Sequence, residues 1–215
     1  MTLRAILFDF DGVIVESLEV KAEAFRALFA EEPEHLPTIL DLHRANAGMS
    51  RYAKFEIIYR DILRRPLSPE DRERLGRRFA ELVVEKVLAC PLVPGALEFL
   101  RSRAAELPLF IASATPQDEI AEIVAGRGLL GYFREVHGSP RLKSEIARDI
   151  LRRYGLTPGE MPFVGDAIND YHAAAEVGLP FVARVPPGAP SPFPASVGVV
   201  ADLTELARAL APAVR

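Results

Sequence analysis

The sequence predicts a doubly wound α/β fold: a Rossmann-like parallel sheet that carries an inserted helical cap domain. Three observations point there. Short apolar runs recur along the chain with helical stretches between them, the alternation of a parallel sheet. The first run, at 3–10, ends in the carboxylates Asp9 and Asp11. After it come roughly seventy residues with helical spacing and no convincing strand.

Residues 3–10 read as a buried strand, mostly apolar on both faces. Residues 107–112, 161–165 and 179–185 look similar, 133–138 is weaker, and 197–201 adds an edge strand. Pro94 opens a helix that carries Leu97 and Leu100 inward. Thr115-Pro116-Gln117-Asp118 places a cap, a first-turn proline and an acid at a helix start. Helical stretches at 141–154 and 169–177 stop at Gly155 and Gly178, which suit C-terminal caps. In the insert, Ser17 starts a helix with Phe25, Leu28 and Phe29 on one face. Ser50 starts another with Tyr52, Phe55, Tyr59 and Ile62 at helical spacing, and Ser68 a third that runs to about Ala89. Pro91 and Pro94-Gly95 mark the return to the sheet. The expected organisation is a core of 1–16 and 91–215 with a helical cap domain at 17–90. A Pro-rich loop occupies 186–194, and no internal repeat is present.

The 215 residues are 49% hydrophobic and 26% charged, the balance of a globular protein with a sizeable core. The formal charge of −4 gives no overall pull toward nucleic acid or an anionic membrane. Cys90 is the only cysteine, which excludes an internal disulfide and fits a reducing cytoplasm. The N-terminal run is broken by Asp9 and reads as neither a signal peptide nor a spanning helix. His35, His43, His137 and His172 show no metal-ligand spacing and receive no role. The only lysines are Lys21, Lys54, Lys86 and Lys143.

In an open parallel sheet, ligands bind beyond the carboxyl ends of the strands. Strand one ends in Asp9-Phe10-Asp11-Gly12, strand two in Ser113-Ala114-Thr115, and strand four in Gly165-Asp166 with Asp170 four residues on; Lys143 follows strand three. Each residue alone is ordinary, since a strand-end Asp or Ser often caps a helix and a lysine is usually solvated. Together they gather carboxylates that repel each other unless a cation joins them. Their hardness suits Mg²⁺, and the lysine and hydroxyl suit phosphate oxygens.

At this point the residues resemble the haloacid dehalogenase superfamily. Asp9-Phe-Asp-Gly-Val looks like its first motif, Ser113 its second, Lys143 its third and Gly165-Asp-Ala-Ile-Asn-Asp170 its fourth, in order over essentially the whole chain. The sequence departs from the common pattern in having Ser144, not proline, after Lys143. The helical insert is similar to the small cap of phosphoglycolate phosphatases and β-phosphoglucomutases. The resemblance implies a phosphatase that hydrolyses a small phosphate monoester. Asp9 would be the nucleophile that forms an aspartyl-phosphate, and Asp11 the acid and base. Mg²⁺ would be held by the Asp9 carboxylate, the Asp11 carbonyl and Asp166, with Asp170 behind them. Ser113, the Ala114 amide and Lys143 would bind the phosphoryl oxygens.

Substrate choice falls to the insert. Gly48-Met-Ser50-Arg51 resembles the cap segment whose arginine, in relatives, contacts an anionic part of the substrate. Lys21 reads as a solvated helix lysine. Asp11 argues against dehalogenase and phosphonate hydrolase chemistry, because those relatives lack the second aspartate. β-Phosphoglucomutases carry a hinge histidine where this chain has Lys21. A mutase of that type, or a non-catalytic phosphate-binding paralogue, remains as an alternative. The expected partner is a small phosphorylated metabolite, with no nucleic acid and no membrane, in the cytoplasm.

Overall fold

The computed structural model describes residues 2–211. Ile6, Leu7 and Phe8 form β1 (Ile6–Phe8), whose side chains have no exposed surface on either face. Five further strands join it in parallel: β2 (Leu109–Pro116), β3 (Glu135–Ser139), β4 (Phe163–Gly165), β5 (Phe181–Arg184) and β6 (Gly198–Val200). The order is β3-β2-β1-β4-β5-β6, with Phe8 paired to Ile111 on one side and Val164 on the other. Every run expected to be a strand is one.

The pleat sends Ile6 and Phe8 to one core and Ala5 and Leu7 to the other. Helices α7 (Lys143–Tyr154) and α8 (Ile168–Val177) pack on the second face through Ile146, Ile150 and Ala174. Both end at the expected glycines, Gly155 and Gly178, with φ of 59° and 79°. The first face receives α5 (Ala96–Arg103) and α6 (Gln117–Gly126). A short α9 (Leu206–Ala209) follows β6.

Between β1 and α5 the described chain is helical: α1 (Leu18–Leu28), α2 (Leu36–Ala45), α3 (Arg51–Ile57) and α4 (Pro69–Ala89), with α3 continuing as a π-helical segment over Ile58–Ile62. Phe25 is the hub that joins them, its ring 5.8 Å from Phe55, 5.1 Å from Phe79 and 4.3 Å from His43. Ser50 and Ser68 cap α3 and α4 as expected, each accepting a backbone N–H. Helix α2 was not expected. Pro33 and Pro37 look like breakers, yet Pro37 lies in the first turn, where no N–H is required.

Two other helix starts need correction. Ser17 precedes α1 without capping it. Thr115 does not cap α6, because β2 runs on to Pro116. In both cases the hydroxyl is drawn to Asp11 instead.

Candidate active site

The strand order reverses direction between β1 and β4, so a crevice opens beyond their carboxyl ends. Asp9 leaves β1 there, its N–H donating to the Val164 carbonyl at 2.9 Å. Its Oδ1 accepts the Phe10 N–H at 2.7 Å, and its Oδ2 lies 2.8 Å from Lys143 Nζ. Lys143, at the first turn of α7, reaches Asp170 Oδ1 as well, at 2.6 Å. Asp170 is fully buried in α8, and its Oδ2 accepts the Ala167 N–H at 3.2 Å. Oxygens of Asp9, Asp166 and Asp170 lie within 4.8 Å of one another. Two glycines permit this crowding. A Cβ at Gly12, where φ is 74°, would strike the Asp166 carboxylate, and one at Gly165 would lie 2.5 Å from Asp170 Cβ.

The electrostatics divide the two aspartates of the first motif. Burial, reinforced by the charges of Asp170 and Asp11, lifts the Asp9 carboxyl to about 7 against the pull of Lys143. Desolvation and then the charges of Asp9 and Asp170 raise half-buried Asp166 well above the usual carboxylate range. Burial works against the Lys143 ammonium, but Asp170 and Asp9 outweigh it and raise its pKa. Asp11 is the opposite case. Burial would raise it, yet the charge and hydrogen bond of Lys21, with hydroxyls from Ser17 and Thr115, hold it below the ordinary value. Its Oδ1 accepts from Ser17 Oγ at 2.6 Å, while its Oδ2 accepts from Thr115 Oγ1 at 3.1 Å and lies 2.5 Å from Lys21 Nζ.

Ser113 is fully buried on β2, its Oγ accepting the Thr115 N–H at 3.1 Å. Ala114 beside it is half-buried and lines the cavity with Asp9 and Asp11. That cavity holds about 270 Å³, with the sheet edge on one side and α1, the α2–α3 connection and α4 on the other. Gly48 brings the connection against the core: a Cβ there would lie 3.1 Å from Ala167 Cβ. Among the described residues no helix is long and apolar enough to cross a membrane.

The ends of β1, β2 and β4 thus open on one pocket, and Lys143 of α7 reaches Asp9 beside it. A family model for haloacid dehalogenase-like hydrolases matches residues 3–178. The chain belongs to this family. Phosphoglycolate phosphatase of Synechococcus elongatus is 32% identical over 188 residues, covering 84% of this chain and 83% of the relative. A phosphorylated carbohydrates phosphatase of Thermotoga maritima is 27% identical over 186 residues, covering 82% of each. The crystal structure of a predicted phosphoglycolate phosphatase from Haemophilus somnus superposes with a TM-score of 0.76 at 20% identity, over 97% of this chain and 98% of that one.

Sequence reasoning placed the family's motif residues at one rim, and the structure brings Asp9, Asp11, Ser113, Ala114, Lys143, Asp166 and Asp170 together there. Asp170, expected behind the ligands, is fully buried with its Oδ1 on Lys143 and an oxygen within 4.8 Å of Asp9 and Asp166. Lys21 is no solvated lysine, since it is the cation on Asp11. The signal was available: Ser17 and Lys21 lie one turn apart, on one face of α1. Arg51 lines the cavity, but its guanidinium is committed. It pairs with Glu119 of α6 and stacks 4.3 Å above the Phe79 ring. Lys54 and His43, to which the sequence assigned no role, are both buried in the same cavity wall.

Proposed function

We propose that this hydrolase is a Mg²⁺-dependent phosphatase that hydrolyses a small phosphate monoester through an aspartyl-phosphate on Asp9. The observation that carries the reading is the opposite setting of Asp9 and Asp11. One carboxylate faces an ammonium within a cluster of acids, while the other is held ionised by Lys21 and two hydroxyls. Two neighbouring acids with divergent environments are what nucleophilic and acid–base roles require.

The donor set fits a hard divalent cation. Three carboxylates lie within 4.8 Å, and two of them are raised by burial and then by the neighbouring acids, a charge that such an ion would offset. The Asp9 and Asp166 carboxylates and the Asp11 carbonyl would hold Mg²⁺, with Asp170 beside them. Bound there, the ion neutralises phosphoryl charge and fixes the orientation of the ester.

The protein's own groups do the rest. An Asp9 oxygen attacks phosphorus as the ester oxygen departs, and Ser113 Oγ, the Ala114 N–H and Lys143 Nζ take the phosphoryl oxygens. The incoming dianion raises the proton affinity of Asp11, which takes up a proton from solvent as the ester binds and passes it to the leaving oxygen. Returned to its ionised form beside Lys21, Asp11 takes a proton from water as that water attacks the aspartyl-phosphate. Residues 17–90 act as a cap that closes this chemistry off from solvent over a core of 1–16 and 91–215. Phosphoglycolate and sugar phosphates, the substrates named for the relatives, are the first esters to try.

The test is phosphate release from a panel of small phosphomonoesters, with Mg²⁺ or with chelator, beside Asp9→Asn. Release that depends on Mg²⁺ and is absent in the variant supports the reading. Release by Asp9→Asn at the wild-type rate overturns it.

A further inference from the structure

The cap side of the cavity contains a cation that the chemistry at Asp9 does not use. Lys54 is 2% exposed, and among the described residues no carboxylate lies within 4.0 Å of its Nζ. The other cations that line this cavity are compensated or wet. Lys21 is paired with Asp11 and Arg51 with Glu119, while Arg44 is exposed and faces Asp41 at 3.7 Å.

An ammonium carries three donors. Lys54 directs one to His43 Nδ1 at 3.1 Å and another toward the His43 carbonyl at 3.4 Å. The third has no partner among the described residues. His43 is held as the acceptor. It is buried, its ring lies 4.3 Å from Phe25, and burial pushes its pKa down to about 3, so it stays neutral. The Phe25 ring lies 5.6 Å from Lys54 Nζ and closes the other side. The arrangement is a prepared site with one vacant donor and one uncompensated charge.

We propose that Lys54, oriented by His43, binds a carboxylate at the end of the substrate remote from its phosphate, so that the enzyme selects short phosphorylated hydroxy acids. This rests on the phosphatase reading and names its substrate class. One uncompensated ammonium matches one negative charge; a second phosphate dianion would bring more charge and more acceptors than the site meets. Burial lowers Lys54 to about 7, so an arriving carboxylate also completes its protonation. A neutral end group would leave a desolvated donor unpaired, the situation in which polar sites discriminate most strongly.

The experiment compares kcat/KM for 2-phosphoglycolate and for 2-hydroxyethyl phosphate, which replaces the carboxylate by a neutral alcohol. Wild type should prefer the acid. In Lys54→Met the ratio should fall by about 10–100-fold, carried by KM, as for loss of a charge-assisted hydrogen bond. Arg51→Met should leave the ratio in place. A ratio untouched by Lys54→Met, or a wild-type preference for a sugar bisphosphate over both esters, overturns the proposal. If wild type releases phosphate from neither ester nor from any other of the panel, the phosphatase reading fails by itself. Calorimetric titration of 2-phosphoglycolate then decides: weaker binding to Lys54→Met supports the carboxylate site, and equal binding overturns it. Circular dichroism identifies folded variants, and Lys54→Gln replaces Lys54→Met if the latter does not fold.

Discussion

Lys21 Nζ lies 2.5 Å from Asp11 Oδ2 and donates to Thr115 Oγ1 at 3.0 Å, so one lysine of α1 ties the helical insert to the carboxyl edge of the sheet. Its charge lowers the Asp11 pKa. Lys21→Met should therefore move the acid limb of the kcat profile to higher pH, and kcat should fall by up to about 10²-fold. An unshifted limb in a pH–rate series would show that Lys21 does not govern Asp11.

Arg51 and Glu119 make a second bridge from insert to core, with side chains only 5% and 10% exposed. Glu119→Gln leaves a buried guanidinium without its counter-ion and should cost about 3 kcal/mol. The double variant Arg51→Met/Glu119→Met should recover much of that loss. Urea unfolding of the three proteins measures both effects.

Gly165 has no room for a side chain, since a Cβ would lie 2.5 Å from Asp170 Cβ and 2.8 Å from Asp170 Oδ2. Gly165→Ala should displace Asp170 from Lys143 and lower stability by about 1–3 kcal/mol, as for overpacking. Turnover should drop with it. An alanine variant with wild-type melting and rate would mean that Asp170 can move without consequence.

The acidic cluster predicts metal-linked stability. Mg²⁺ at about a hundred times its Kd should stabilise the fold by about 2.7 kcal/mol. Asp166→Asn should lose most of that gain. Differential scanning calorimetry with and without Mg²⁺ reads it directly.

Away from the site, Glu135 accepts from Arg153 through both oxygens at 2.6 Å and from Tyr154 Oη at 2.7 Å, which hold its carboxyl at about 2. A depressed folded pKa gives stability that is complete above the unfolded value and is lost as pH falls through the folded one. Glu135→Gln should cost about 1 kcal/mol at pH 7, allowing for solvent screening. The gap to wild type should close as pH falls from the ordinary glutamate range toward about 2.

The sheet and the motif residues were legible because their signals are local. Apolar runs such as 3–10 declare strands, and carboxylates at their ends declare a rim. What escaped depended on contacts across the chain. Ser17 and Thr115 each look like a helix cap, and only the fold shows Asp11 claiming both hydroxyls. Helix α2 was not expected, and its Pro37 sits in the first turn, where a proline is tolerated. Arg51 carried a motif and Lys54 did not. Yet the arginine is neutralised by Glu119, 68 residues away, while Lys54 keeps a free donor. No spacing rule reports which cation a distant acid will take.

The most direct measurement is mass spectrometry of the peptide that carries Asp9, acid-quenched during turnover with Mg²⁺ and 2-phosphoglycolate. A phosphoryl adduct should appear on Asp9 in wild type and be absent in Asp9→Asn, which should not turn over. Steady turnover without any adduct, together with release of phosphate by Asp9→Asn, would contradict the covalent mechanism.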